Sequence, residues 1–508
     1  MNFDWSPYQI DIFDFIENGT KDGIVEARAG AGKTTTLVEG AHRIPDGSDA
    51  LFLAFNKHIE QELSEELEDT PMEAKTVHSC AYGVLYNYLD KPLDVNKWKY
   101  YDILDSYLER NPGLADKSSK RTVRSRISRM LGLVRMQLVD PRDTTALMDL
   151  AGHYGVVTDR RWLKDLPRLL ERGRTVAEFN GEIDFDGMVY LPVHWDLDFP
   201  QYDWVFVDEA QDLNAVQREI VQRSVRSDGR TMWVGDPKQA IYGFAGASTD
   251  SFEKISNGHT PEHFTLPITY RCPQSHVDQV HREGHVEDIE ARDDAPQGEV
   301  IKADVEDLTS VVEQGDYVLC RTNAPLIRWS IRFIEEQRKA VVLGRSLQKK
   351  LCGILTDVQD DEGGSVRYEE LPAKLTEYLN REIERLMDEN APETVMNKVR
   401  DRIRCLKTCY EEYDGVESVD ELKSRIEALF SDEEDGVTFM TVHKAKGSQN
   451  ERVHILRDDL LPLEWEGQKD WEADQERNLR YVAETRATET LTFIEDEGPE
   501  EPTDMTEV

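Results

Sequence analysis

Short apolar runs alternate with longer amphipathic stretches along this chain. Ile24-Val25 precede a glycine-rich turn and a helical stretch that starts at Lys33. Residues 50–55, ALFLAF, read as a buried strand. Trp204-Val205-Phe206-Val207 is stopped by Asp208, and Thr231-Met232-Trp233-Val234 by Gly235-Asp236. Short apolar strands that end in polar residues, with helical stretches between them, predict an α/β fold. Its sheet is parallel and its chemistry lies at the strand C-termini. The texture returns at Tyr317-Val318-Leu319-Cys320, Val341-Val342-Leu343, Thr438-Phe439-Met440 and Val453-His454-Ile455, which predicts a second α/β domain. Two mostly helical stretches, residues 88–183 and 347–435, read as insertions. The expected division is therefore a first domain of residues 1–87 and 184–260 and a second of 261–346 and 436–494. Residues 495–508 hold seven acids and no base, and are expected to be a disordered tail. No repeat of 20–50 residues is visible.

Composition changes the picture in one respect. The 508 residues carry 61 Lys+Arg against 101 Asp+Glu, a formal charge of −40. At 39% apolar residues the chain can still build several cores. No apolar run approaches a membrane span, and the N-terminus carries acids where a signal peptide has bases, so the expected place is the cytoplasm. The acid is spread along the chain, and the bases divide into 38 Arg and 23 Lys. That pattern resembles proteins of salt-loving cells, where screening suppresses surface repulsion. Taken globally, the charge argues against a nucleic-acid partner. Locally it does not. Residues 117–139 hold seven bases and no acid, among them Arg121, Arg124 and Arg129, and residues 321–350 hold eight bases against two acids. These islands read either as a track for a phosphate backbone or as helix faces paired with nearby acids. The six cysteines are scattered, and Cys405 and Cys409 lack the partner pair of a metal site.

The sharpest chemistry follows the first strand. Ala27-Arg28-Ala29-Gly30-Ala31-Gly32-Lys33-Thr34-Thr35 opens a helix. Glycine-rich turns let backbone N–H groups face a phosphate chain, and the helix N-terminus adds a favourable dipole. Lys33 reaches the β/γ-phosphates in such a loop, and Thr34 places its hydroxyl on Mg²⁺. Asp208-Glu209 directly follows another buried strand. Asp208 can hold Mg²⁺ and Glu209 can orient or deprotonate a water. Two acids ending a strand at solvent are common in so acidic a chain. Combined with the loop in the right order, they point to hydrolysis of a nucleotide, with ATP and Mg²⁺ as cofactors.

With these motifs the chain resembles superfamily 1 helicases of the UvrD/Rep type. Within them it is most similar to the F-box DNA helicase group, without a recognisable F-box. The resemblance implies two RecA-like P-loop domains with parallel sheets, each carrying a mostly helical insertion. It implies that Gln9, in Ser6-Pro7-Tyr8-Gln9, reads the adenine edge. Ala54-Phe55-Asn56-Lys57 and Thr76-Val77-His78 resemble DNA-contact motifs, with Phe55 against a base and Asn56, Lys57 and His78 nearby. In Gly235-Asp236-Pro237-Lys238-Gln239-Ala240-Ile241-Tyr242-Gly243-Phe244, the resemblance gives Gln239 to the γ-phosphate and Tyr242 and Phe244 to single-stranded DNA. Many relatives carry Trp-Arg where this chain has Phe244-Ala245. Tyr270-Arg271 resembles the first motif of the second domain, with Tyr270 stacked on adenine and Arg271 at the γ-phosphate. Cys320-Arg321-Thr322-Asn323 is a further similar segment. Thr441-Val442-His443-Lys444-Ala445-Lys446-Gly447 resembles the segment that couples DNA and nucleotide sites. There Ser448-Gln449 replaces the usual Leu-Glu, so Gln449 offers the ribose an uncharged partner. Arg486, in Thr485-Arg486-Ala487, is the implied second arginine finger.

The resemblance implies an ATP hydrolase that moves along single-stranded DNA, 3′→5′, and unwinds tailed duplexes in repair, recombination or replication, with proteins of those processes as partners. Two other classes remain open on the residues alone. One is an RNA-acting or protein-displacing ATPase on the same scaffold. The other is a scaffold protein with a dead nucleotide site, against which the intact Lys33, Thr34, Asp208, Glu209, Gln239, Arg271 and Arg486 argue.

Overall fold

The computed structural model describes residues 4–115, 120–243, 251–256, 260–361, 363–364, 366–388, 393–434 and 436–496. They form two compact units, Met1–Pro267 and Ile268–Val508.

The first unit is built on six parallel strands. Their spatial order is Met72–Thr76, Ala50–Ala54, Tyr202–Val207, Val225–Gly235, Gly23–Ala27, Glu262–Leu266. Alternation along each strand sends successive side chains to opposite faces. Phe52 and Phe206 join Ile12, Ile16 and Leu37 on one face, whereas Leu51, Leu53, Val205 and Val207 join Ile220 on the other. Both faces are covered by helices, which explains why the central strand Ala50–Ala54 is apolar throughout. The helix Pro7–Asn18 starts from a capping box in which Ser6 and Gln9 satisfy each other's backbone N–H.

The first insertion is helical, as expected. Helices Lys99–Arg110, Lys120–Met136, Thr144–His153 and Leu166–Asn180 enclose a core of their own around Leu104, Ile127, Leu131 and Leu170. A buried ion cluster joins that insertion to the rest of the unit. Arg135 donates to both Asp184 oxygens at 2.9 and 2.6 Å and to Asp186 Oδ2 at 3.0 Å. Its guanidinium also lies 4.5 Å from the Tyr100 ring centroid. Asp184 is the residue that precedes the helix Phe185–His194.

The second unit holds seven parallel strands in the order Glu299–Asp304, Ala487–Glu495, Asn450–Leu456, Tyr317–Cys320, Val437–Thr441, Ala340–Leu343, Phe430–Ser431. Its insertion differs from the first. Leu351, Leu375, Leu406 and Leu422, on helices Arg345–Asp361, Leu371–Asp388, Glu393–Glu412 and Val419–Leu429, share one core with Phe333 and Phe439. These helices thicken the sheet layer rather than stand apart from it.

Two expected boundaries shift. Glu262–Leu266 pairs with Gly23–Ala27, so the division falls after Pro267 rather than after residue 260. Phe430–Ser431, inside the expected second insertion, is an edge strand of the sheet. Of the acidic tail, residues 497–508 lie outside the described residues. Glu495 ends a strand and accepts from Lys302 Nζ at 2.8 Å. No helix among the described residues is long and apolar enough to cross a membrane.

The cluster around Arg135 generates a stability test. Removing one member of a buried pair leaves the other charge without compensation, which costs about 3–5 kcal/mol. Arg135→Ala is expected to lower the urea midpoint of the intact chain accordingly. Arg135→Met combined with Asp184→Leu should recover much of the loss. A single variant with an unchanged midpoint would show that the cluster does not hold the insertion.

Candidate nucleotide site and flanking surfaces

Three adjacent strands of the first sheet end at one place. Tyr202–Val207 delivers Asp208-Glu209, Val225–Gly235 delivers Asp236, and Gly23–Ala27 delivers the glycine loop. Gly30 and Gly32 sit at φ 71° and 73°, in the left-handed region that glycine reaches at little cost. The helix Lys33–Ala41 starts directly at Gly32 without a side-chain cap. Its first-turn N–H groups therefore need another acceptor, and an anionic phosphate suits them.

Side chains around this loop form one connected set. Lys33 Nζ lies 2.8 Å from Glu209 Oε1. Burial alone would lower the Lys33 pKa, but the carboxylates of Glu209, Asp208 and Asp236 outweigh it and the ammonium is held above its usual value. The Thr34 hydroxyl faces Asp208 Oδ2 at 3.4 Å. Asp208 is buried. Burial and the neighbouring Glu209, opposed by Lys33, push its carboxyl up to about 6. Gln211 Nε2 donates to Glu209 Oε2, and Gln211 Oε1 accepts from the Asp236 N–H at 3.1 Å. Gln239 Nε2 donates to Asp236 Oδ2 at 2.7 Å. A Cβ at Gly235 would lie 2.1 Å from Gln211 Oε1, so any side chain there would displace the Gln211 amide from this set. Thr34 and Asp208 present hard oxygen donors side by side, the donor set that suits Mg²⁺.

Arg28 is a site residue that the motif reading passed over. It is buried, and its NH1 donates to Asp236 Oδ1 at 3.1 Å, which ties the phosphate loop to the neighbouring strand end. The available signal was a charged residue inside a loop otherwise made of Ala and Gly. Gln9 is also brought to the site. It donates to Thr36 Oγ1 at 2.9 Å, and that hydroxyl donates to the Gly32 carbonyl at 2.9 Å. Ala29 and Ala31 are buried beneath the loop, while Thr35 is exposed.

The expected DNA contacts divide. Phe55 is 43% exposed, an unusual state for a ring directly after a buried strand. Asn56 is occupied as a helix cap, accepting from Ile59 N–H at 3.0 Å, and Lys57 opens that helix. The His78 ring packs 4.8 Å from Phe185, and burial lowers its pKa. Phe185 itself is 62% exposed and was not singled out from sequence. Tyr242 is half-buried, and burial raises its phenol to about 12. Phe244 lies outside the described residues.

In the second unit, Tyr270 is exposed and Arg271 NH1 reaches the Thr485 carbonyl at 3.4 Å. Arg486 is fully buried. Its NE and NH1 donate to the carbonyls of Val482 and Ser448 at 2.9 and 3.0 Å, and its NH2 to Thr485 Oγ1 at 3.2 Å. These acceptors all belong to the second unit. Gln449 is exposed and Lys446 is half-buried. Burial, with Arg321 and Lys398 nearby, lowers His443 to about 3, so its imidazole is neutral.

The second basic island is largely spent on internal pairing. Arg321 binds the buried Glu476 through two hydrogen bonds of 2.7 and 2.5 Å. Arg332 pairs with Glu412, and Arg338 donates to the carbonyls of Thr309 and Val312. In the first island Arg124 pairs with Asp105 at 2.5 Å, whereas Arg121 and Arg129 are exposed. Residues 117–119 of that island lie outside the described residues.

Residues 12–260 match the UvrD/REP helicase N-terminal domain, and residues 268–497 match the UvrD-like helicase C-terminal domain. F-box DNA helicase 1 of Gallus gallus is 29% identical over 236 residues, 44% of this chain and 22% of that protein. ATP-dependent DNA helicase PcrA of Leuconostoc citreum is 25% identical over 286 residues, 50% of this chain and 36% of that one. F-box DNA helicase protein 1 of Schizosaccharomyces pombe is 24% identical over 259 residues, 45% and 27% of the two chains. The matched region thus spans well under half the length of each of these relatives.

The raised Asp208 carboxyl gives a pH test. A carboxyl whose pKa is higher in the fold than in the unfolded chain stabilises the fold when protonated. That contribution is complete below about pH 4, the unfolded value. It is lost as pH rises through about 6, the folded value. Asp208→Asn is therefore expected to make the nucleotide-free protein more resistant to urea at pH 8 than the parent, with the difference vanishing near pH 4. A variant less stable than the parent at pH 8 would contradict this charge assignment.

Proposed function

Because this chain belongs to the UvrD/Rep helicase family, we propose that it is an ATP-dependent DNA helicase, a motor that hydrolyses ATP to move along single-stranded DNA and open duplexes. The observation that carries this reading is the convergence of Lys33, Thr34, Asp208, Glu209, Asp236 and Gln239 at three adjacent strand ends.

In this reading the phosphates of ATP take over the Lys33 ammonium, which releases Glu209 to orient and deprotonate the attacking water. Thr34 and Asp208 would hold Mg²⁺, which would neutralise charge on the phosphates. Gln239, fixed by Asp236, reads the γ-phosphate. Gln9 and Tyr270 hold the adenine, and Gln449 meets the ribose. Arg271 and Arg486 stabilise the charge that develops on the transferred group, so Arg486 must leave its carbonyl acceptors during the cycle. Phe55, His78 and Tyr242, with Phe244, provide ring surfaces for bases, and Lys57, His443 and Lys446 serve the strand backbone. Arg121, Arg124 and Arg129 extend that track onto the first insertion.

The finer parts of the proposal are translocation 3′→5′, work in repair, recombination or replication alongside proteins of those processes, a cytoplasmic setting and adaptation to concentrated salt. The spread acid supports the last. High salt weakens phosphate contacts by counterion release, so this motor should depend more on stacking than relatives in dilute salt.

Lys33→Ala is expected to abolish ATP hydrolysis and strand separation together, and retained unwinding would refute the motor reading. Unwinding of 3′- and 5′-tailed DNA and RNA duplexes across a wide KCl range tests direction, substrate and salt in one series. The expected result is activity on 3′-tailed DNA that peaks at molar KCl. A preference for RNA, for 5′ tails or for dilute buffer would overturn the corresponding part.

A further inference from the structure

Beside the basic helix of the first insertion lies an aromatic pair that the proposed motor leaves without a role. Among the described residues, fifteen large apolar side chains are exposed, and five of them, Tyr86, Tyr88, Val95, Trp98 and Tyr101, fall within a single short stretch of chain. Trp98 is 55% exposed and Tyr101 40%. The two rings meet edge to face, with centroids 5.5 Å apart and planes at 82°.

This pair is held in place. Trp98 N–H donates to Asn96 Oδ1 at 2.8 Å, and Asn96 Nδ2 donates to Glu182 Oε1 at 2.8 Å. Trp98 also precedes the first turn of helix Lys99–Arg110. Cations flank both rings. Lys97 Nζ is 5.2 Å from the Trp98 centroid, and Arg124 Cζ is 3.5 Å from the Tyr101 centroid. Arg124 belongs to helix Lys120–Met136, whose sequence KRTVRSRISRMLGLVRM has six bases and no acid. In a chain of charge −40, this acid-free helix gives the surface beside the aromatic pair an excess of bases, of which Arg124 pairs with Asp105 and Lys120 with Asp105 and Glu109.

We propose that Trp98 and Tyr101, with the helix Lys120–Met136, form a second anchoring post for single-stranded nucleic acid on the first insertion, separate from the motor motifs. The inference rests on the helicase reading for its partner. Charge complementarity selects a polyanion. Exposed rings select one whose bases are unpaired, because every base offers a face to stack on and a closed duplex does not. Stacking also keeps its strength in salt that screens the helix cations.

The test is the affinity of the full chain for fluorescently labelled oligo-dT of increasing length, read by anisotropy in molar KCl. Wild-type affinity is expected to rise in two steps, as the strand first fills the motor motifs and then reaches the post. Trp98→Ala should remove the second step, a loss of about tenfold on the longest strands. It should leave the shortest strands and the ATP turnover rate at saturating DNA unchanged. Trp98→Phe should restore most of the step. Since Trp98 is outside the core, a folding defect would show as lost affinity at every length, which overturns the proposal. So would a Trp98→Ala series parallel to wild type, or a loss confined to duplex DNA. If wild-type protein binds no oligo-dT at all and shows no DNA-stimulated ATP hydrolysis, the helicase reading fails instead.

Discussion

A single cation set among carboxylates organises the first unit. Lys33 faces Glu209, Asp208 and Asp236, and these groups are neighbours because the strands that carry them are neighbours. Parallel strands all end on the same side of a sheet, so three loops distant in sequence can be read by one ligand. The arrangement sets like charges close together. Asp208 is buried near a like charge and takes up a proton more readily than an exposed carboxyl, while Lys33 and Glu209 close on each other. In the proposed reaction the phosphates draw Lys33 away from Glu209 and leave that carboxylate as the base.

Legibility of the fold followed exposure. Strands buried on both faces, such as Ala50–Ala54, Tyr317–Cys320 and the Trp204–Val207 part of Tyr202–Val207, were visible because their apolar runs are uninterrupted. Met72–Thr76, Glu262–Leu266 and Glu299–Asp304 were not, and each lies at a sheet edge. Their sequences MEAKT, EHFTL and EVIKAD are mixed because half of each strand faces solvent. The shift of the unit boundary past residue 260 is the direct result of missing one such edge strand. The site was legible to the extent that backbone geometry dictates residue type, as in the glycines of the phosphate loop and the acids after a buried strand. Arg28 and Phe185 were missed because their roles depend on neighbours 208 and 107 positions away, Asp236 and His78.

The basic islands show why charge counts need partners. The two stretches look alike in sequence, yet the second places Arg321, Arg332 and Arg338 on internal acceptors, where they act as struts. In the first, Arg135 has that inward role at the base of the insertion, while the outer part of the same helix keeps its cations near the surface. One helix thus combines a buried fastening at one end with bases that pair across to Asp105 and Glu109 or stand at the surface at the other.

Thr485 joins the two arginines of the second unit. Its carbonyl accepts from Arg271 and its hydroxyl from Arg486, although the two residues are 215 positions apart in the chain. One threonine thus gives both guanidinium groups an acceptor, through its backbone for Arg271 and through its side chain for Arg486. Removing the hydroxyl at this position would take one acceptor from Arg486 and leave in place the carbonyl that Arg271 meets.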